Sequence, residues 1–213
     1  MSQKQQASRI INLLKKEYPT ARIALKFSNP LELLVATVLS AQCTDVMVNR
    51  VTKSLFRKYK TAKDYASANP KEFEQDIRST GFYKNKAKNI INATKLIVEK
   101  FKGRVPDTME DLITLPGVAR KTANIVLFNV FNKIEGIAVD THVRRLSQRL
   151  GLTRNEDPQK IEQDIMEIVP KEIWGKFSYL LIDHGRKICV AKKPLCPECV
   201  LKSLCPSFKK FYP

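Results

Sequence analysis

Leu115-Pro116-Gly117-Val118 interrupts two apolar helical patterns, Met109 to Thr114 and Ala119 to Phe131. Pro116 cannot continue a helix, and Gly117 accepts the positive φ of a tight turn without steric cost. The segment 108–131 therefore reads as two helices joined by a hairpin turn. Such a turn leaves backbone N–H groups of Gly117, Val118 and Ala119 at the start of the second helix, where unpaired donors and partial positive charge suit a phosphate oxygen. Contacts of this type hold a nucleic-acid backbone in place without reading bases. A hairpin alone fits a purely structural role as well as a catalytic one.

Two further residues point toward chemistry. Lys121 falls in the first turn of the second helix, a place for a nucleophilic amine. Asp140 follows nineteen positions later, in Val139-Asp140-Thr141-His142-Val143, and reads as the N-cap of another helix.

The charge balance agrees with a polyanionic partner. Lys plus Arg number 38 against 21 Asp plus Glu, a formal excess of +17 in 213 residues. Nucleic acid or an anionic membrane surface would meet it. The second is disfavoured because no apolar run approaches the ~20 residues that span a bilayer. The beginning of the chain, MSQKQQASRI, lacks the apolar core of a secretory signal. An intracellular, cytoplasmic and chromosome-associated protein is expected, with its cysteines as thiols or metal ligands rather than disulfides.

Apolar spacing at i, i+3, i+4 recurs while strict alternation is almost absent, so the chain is expected to be all-α. Asn29-Pro30, Asn69-Pro70 and Asp157-Pro158 each pair a good N-cap with proline at the first helical position, and Pro170 is expected to open another helix. The apolar run from Pro30 to Ser40 suits a buried central helix, broken by Leu39-Ser40-Ala41-Gln42-Cys43-Thr44. Cys43 is read as a small buried hydrophobe. Gly81 ends a helix before Phe82, an aromatic in a turn beside lysines, the kind of side chain that can wedge into a base stack. Helix 85–101 buries Ile90, Ile91, Ala93, Leu96 and Ile97, with its lysines expected mostly on the solvated side. His142 and His184 share no ligand spacing and read as structural hydrogen-bonding residues.

Cys189, Cys196, Cys199 and Cys205 are spaced C-x6-C-x2-C-x5-C. One C-x2-C pair leaves tetrahedral zinc possible, and four thiolates in a short loop can equally hold an iron-sulfur cluster. Between the first two lie Lys192 and Lys193, which a metal-tethered loop would present outward to phosphate.

LPGVARKTA followed by VDTHVRR, together with this cysteine spacing, resembles the endonuclease III family of DNA glycosylases across nearly the whole chain. The turn's usual second glycine is Ala119 here. The resemblance implies two helical domains flanking a DNA-binding cleft. One would be 22–136 with the helix-hairpin-helix, the other 1–21 plus 137–213 with a 4Fe-4S cluster loop at 189–205, and Lys121 and Asp140 would face each other. It further implies that Lys121 attacks the sugar C1′ with help from Asp140, and that Gln42 fills the gap left by an extruded nucleotide, with Phe82 as the apolar wedge. The activity implied is removal of oxidised pyrimidines from duplex DNA, then cleavage of the abasic site. A monomer suffices for one lesion. Adenine and thymine mismatch glycosylases of the same fold usually lack the lysine, a mismatch or oxidised-purine glycosylase is the alternative within the class, and a non-catalytic DNA-binding protein would need neither Lys121 nor Asp140.

Overall fold

A computed structural model describes residues 1–212. Among them are twelve α-helices and no strand: α1 (Gln3–Glu17), α2 (Pro30–Leu39), α3 (Asp45–Lys58), α4 (Ala62–Ala66), α5 (Pro70–Asp76), α6 (Tyr83–Phe101), α7 (Met109–Leu112), α8 (Arg120–Phe131), α9 (Thr141–Arg149), α10 (Pro158–Ile168), α11 (Trp174–Lys187) and α12 (Phe208–Phe211). The chain divides into two compact units, Ala24–Lys133 and Met1–Ile23 with Ile134–Pro213.

Unit Ala24–Lys133 is built around α2. Asn29 caps it by accepting from the Glu32 N–H, and Pro30 opens its first turn. Leu33 through Leu39 are buried without exception, so this helix is apolar on every side and packs against α3, α6 and α8. A fully buried Leu contributes roughly 2 kcal/mol, so packing rather than helix propensity decides its place. At one flank Tyr59, Tyr65 and Phe73 form an aromatic cluster with ring centroids 5.0 to 5.9 Å apart. Lys58 bridges to Glu72 and Asp76, tying α3 to α5.

The other unit packs α11 against α1 and α9, with α10 against both α1 and α9. Ile10, Leu14, Val143, Leu146, Phe177 and Leu180 are completely buried. Gln6 of α1 donates to the carbonyls of Leu150 and Leu204, tying the first helix to residues far along the sequence.

Three local expectations change. Pro170 precedes a short 3-10 turn, Lys171–Ile173, and α11 starts only at Trp174. Helix α6 begins at Tyr83 rather than 85, because Phe82 itself takes the left-handed conformation and serves as its N-cap. Cys43 is half-buried rather than buried. Gln42 ahead of it has φ 52° and reverses the chain outward before Thr44 caps α3.

Candidate functional site

The hairpin starts at Thr108, whose hydroxyl accepts from the Asp111 N–H to open α7. Leu115 is buried, and at Gly117 the chain turns with φ 79°. A Cβ there would lie 2.9 Å from the Asn89 Cβ on α6. Both the backbone angle and the close approach exclude a side chain. Val118 does not present itself to a ligand: its side chain is buried and its N–H donates to the Leu115 carbonyl at 3.0 Å. It anchors the turn, because an apolar side chain following the glycine is drawn into the core. Ala119 is the exposed N-cap of α8, extended at φ −90° and ψ 169°, where any residue fits. No side-chain hydrogen bond from Ala119 caps this helix, and the first N–H groups of any α-helix have no acceptor within the helix itself. Lys121 is exposed one residue into α8. Gly117, Ala119 and Lys121 thus share the tip of the hairpin.

In the same unit, the turns after α2 and before α6 carry Gln42 and Phe82. Both are exposed, Phe82 at 66%, and both have positive φ, 52° and 48°. For residues other than glycine this conformation costs about 1–2 kcal/mol and persists where the surroundings enforce it. Lys86, expected on the solvated face of α6, is instead 4% exposed. Its ammonium donates to the carbonyls of Leu39 at 2.8 Å and Thr80 at 2.7 Å. Burial moves its pKa down, opposed by the nearby Cys43 thiol. Periodicity alone could have flagged it, since position 86 falls four residues before Ile90 on the apolar side.

In the second unit, Asp140 is the N-cap of α9, and its Oδ1 accepts from the Val143 N–H at 2.8 Å. This bond fixes the carboxylate's orientation. Five residues on, Arg145 donates to the carbonyls of Gly185 at 3.0 Å and Cys189 at 3.2 and 3.0 Å. The helix that carries Asp140 is thereby tied to the first cysteine of the loop. His142 lies 3.2 Å from the same guanidinium.

Cys189, Cys196, Cys199 and Cys205 all line one small hollow, walled otherwise mainly by Leu146, Leu150, Ile188, Pro194 and Phe208. Groups directed at the sulfurs include the Arg149 guanidinium, 3.3 Å from Cys189 Sγ, and the Leu201 N–H, 3.4 Å from Cys199 Sγ. His184 is buried between Cys199 Sγ at 3.3 Å and the Tyr18 hydroxyl at 3.1 Å. Burial holds the imidazole down at about 4 and pushes the Cys199 thiol up to about 11. A coordinated metal deprotonates such thiols outright, and donors aimed at the sulfurs stabilise the resulting charge. Among the described residues no three His, Cys, Asp or Glu form a group suited to one metal ion, while all four thiols border one space. Lys192 and Lys193 are exposed on the loop between. That loop is held by Arg149, which donates to the Val190 and Ala191 carbonyls, and by Tyr212, which donates to Pro194. Neither arginine is evident from sequence spacing, because their partners lie about forty residues away.

Residues 35–171 match the HhH-GPD superfamily base excision DNA repair protein family. Endonuclease III of Synechocystis sp. is 55% identical over 206 residues, 97% of this chain and 94% of that protein. Endonuclease III of Bacillus subtilis is 51% identical, covering 88% and 86%. A structure of a trapped endonuclease III–DNA covalent intermediate superposes with a TM-score of 0.94 at 46% identity, covering 99% of both chains. A thermostable thymine-DNA glycosylase shares the fold, with a TM-score of 0.87 at 22% identity over 97% of this chain and 98% of that one. The chain belongs to the endonuclease III family, within the HhH-GPD superfamily of base excision DNA repair proteins.

Proposed function

We propose that this protein removes oxidised pyrimidines from duplex DNA and cleaves the resulting abasic site, with Lys121 as the attacking amine. The observation that carries this reading is the position of Lys121, exposed in the first turn of a helix that opens directly after the hairpin turn. A DNA phosphate held at the Gly117 and Ala119 backbone would bring the neighbouring sugar near that amine.

The damaged base must leave the stack before it can react, and lesions that weaken pairing or stacking lower that cost. Phe82 enters as an apolar wedge and Gln42 occupies the vacated space. The Lys121 amine then attacks C1′ as the base departs. Positive charge that develops on the sugar is stabilised by the Asp140 carboxylate, whose orientation is set by its cap to Val143. The resulting Schiff base acidifies the C2′ proton, and β-elimination expels the 3′ phosphate.

Members of the endonuclease III family carry a 4Fe-4S cluster, and Cys189, Cys196, Cys199 and Cys205 would hold one here. When bound, it cross-links the loop and adds stability to the folded chain. Lys192 and Lys193 then stand on a fixed loop, where they meet the DNA backbone.

The reading is tested with duplexes that carry thymine glycol, adenine opposite oxidised guanine, or no lesion. Base release and strand cleavage on the first alone are expected. Base release without cleavage, or action only on the second, would contradict it.

A further inference from the structure

Lys86 is a charged side chain almost completely removed from solvent, and it belongs to none of the groups placed so far in the reaction. It sits in the first turn of α6, and its ammonium spans two segments distant in sequence. One bond goes to the carbonyl of Leu39, the last residue of α2; the other goes to the carbonyl of Thr80, the last residue of a 3-10 turn. Carbonyls at helix ends lack partners within their own helix, so one cation with three donors can satisfy two such ends.

The residues just beyond these two carbonyls are the ones that reach solvent. Three positions past Leu39 stands Gln42, and two past Thr80 stands Phe82. Among the described residues these are two of the four other than glycine with positive φ, and both are exposed. Their strained conformations are set by short turns whose starting points share a single ammonium. The apolar stem of Lys86 packs in the core, which leaves its head little freedom.

We propose that Lys86 is a positioning residue that fixes the Gln42 turn and the Phe82 turn relative to one another, so that both side chains enter the duplex as one preset unit. This rests on the insertion roles given to Gln42 and Phe82 above. Loss of the ammonium would release two turns at once and spare the hairpin tip at Lys121, since neither of its carbonyl partners belongs to the 108–131 segment. The defect belongs to steps that open a duplex, not to amine chemistry.

The test compares wild type, Lys86→Met and Lys86→Arg, each as cluster-loaded full chain with its melting temperature recorded. Two substrates are used: a thymine glycol duplex with 2-aminopurine beside the opposite base, and a single-stranded oligonucleotide with a preformed abasic site, which has no opposite strand to displace. Lys86→Met is expected to lower the duplex excision rate about tenfold or more and to diminish the fluorescence rise that reports unstacking. Borohydride trapping on the single strand should stay within about twofold of wild type. Equal losses on both substrates, or no loss on either, would overturn the proposal. If Lys86→Met does not fold, Lys86→Arg carries the test, since its longer planar head keeps the charge but shifts both carbonyls. A duplex-specific loss supports positioning, and wild-type behaviour on both substrates overturns it. Failure of wild type to trap on either substrate would instead strike at the lyase reading itself.

Discussion

A Cβ on Gly117 would stand 2.9 Å from the Cβ of Asn89. The hairpin turn is thus seated on α6 so closely that its backbone, not a side chain, forms the surface at its tip. Gly117→Ala would force a left-handed alanine and a steric overlap that must give way, at a cost of about 1–3 kcal/mol. It is expected to lower the melting temperature and weaken binding to damaged and undamaged duplexes alike, because the interaction proposed for the turn is with phosphate. Unchanged affinity for undamaged duplex in a titration would remove the turn from the DNA interface.

Arg149 ties α9 to the cysteine loop through Cys189 Sγ and two carbonyls, and its guanidinium lies 4.6 Å from the Phe211 ring. Arg149→Met is expected to cost on the order of 2 kcal/mol, with faster proteolysis between residues 190 and 195. Arg149→Lys should recover little of this, since an ammonium cannot reproduce the planar fork. Full recovery by lysine, measured by thermal melting, would reduce the arginine to a charge.

Lys192 and Lys193 are exposed on the loop that Arg149 and Tyr212 hold. Replacing both by alanine should weaken duplex binding and reduce the slope of log K against log salt by up to about 2, since each phosphate that is no longer neutralised removes about 0.9. An unaltered slope would place them away from DNA.

The Lys86 ammonium has a pKa below the usual 10.5, first because it is buried. Between that lowered value and 10.5 the unfolded chain binds more protons than the folded one, so this group's contribution to stability rises with pH. Urea unfolding across the alkaline range, in a Cys43→Ala background that removes the neighbouring thiol, should show wild type gaining on Lys86→Met. A gap that narrows with increasing pH would have the wrong sign.

Much of the fold is legible in the residues alone. Asn29-Pro30, Asn69-Pro70 and Asp157-Pro158 mark the starts of α2, α5 and α10 because a polar cap and a fixed proline φ act locally. Pro116 and Gly117 mark the hairpin for the same reason. Long-range bonds leave no such trace. Spacing puts Lys86 on the face of Ile90, but it does not name the carbonyls of Leu39 and Thr80 as its partners. Val118 follows the glycine of the hairpin turn, yet its N–H is already committed to Leu115. Arg145 and Arg149 lie on α9 with no local signal, and their partners come from the cysteine loop. His184 is legible as a hydrogen-bonding residue, although neither Tyr18 nor Cys199 can be named as its partner from spacing.

The most direct test of the central claim is borohydride reduction of the protein on a thymine glycol duplex, followed by proteolysis and mass spectrometry of the linked peptide, with Lys121→Ala in parallel. The account predicts a covalent adduct on the Lys121 amine, and none in the variant although it still binds the duplex. An adduct on another lysine, or equal trapping by Lys121→Ala, would contradict it.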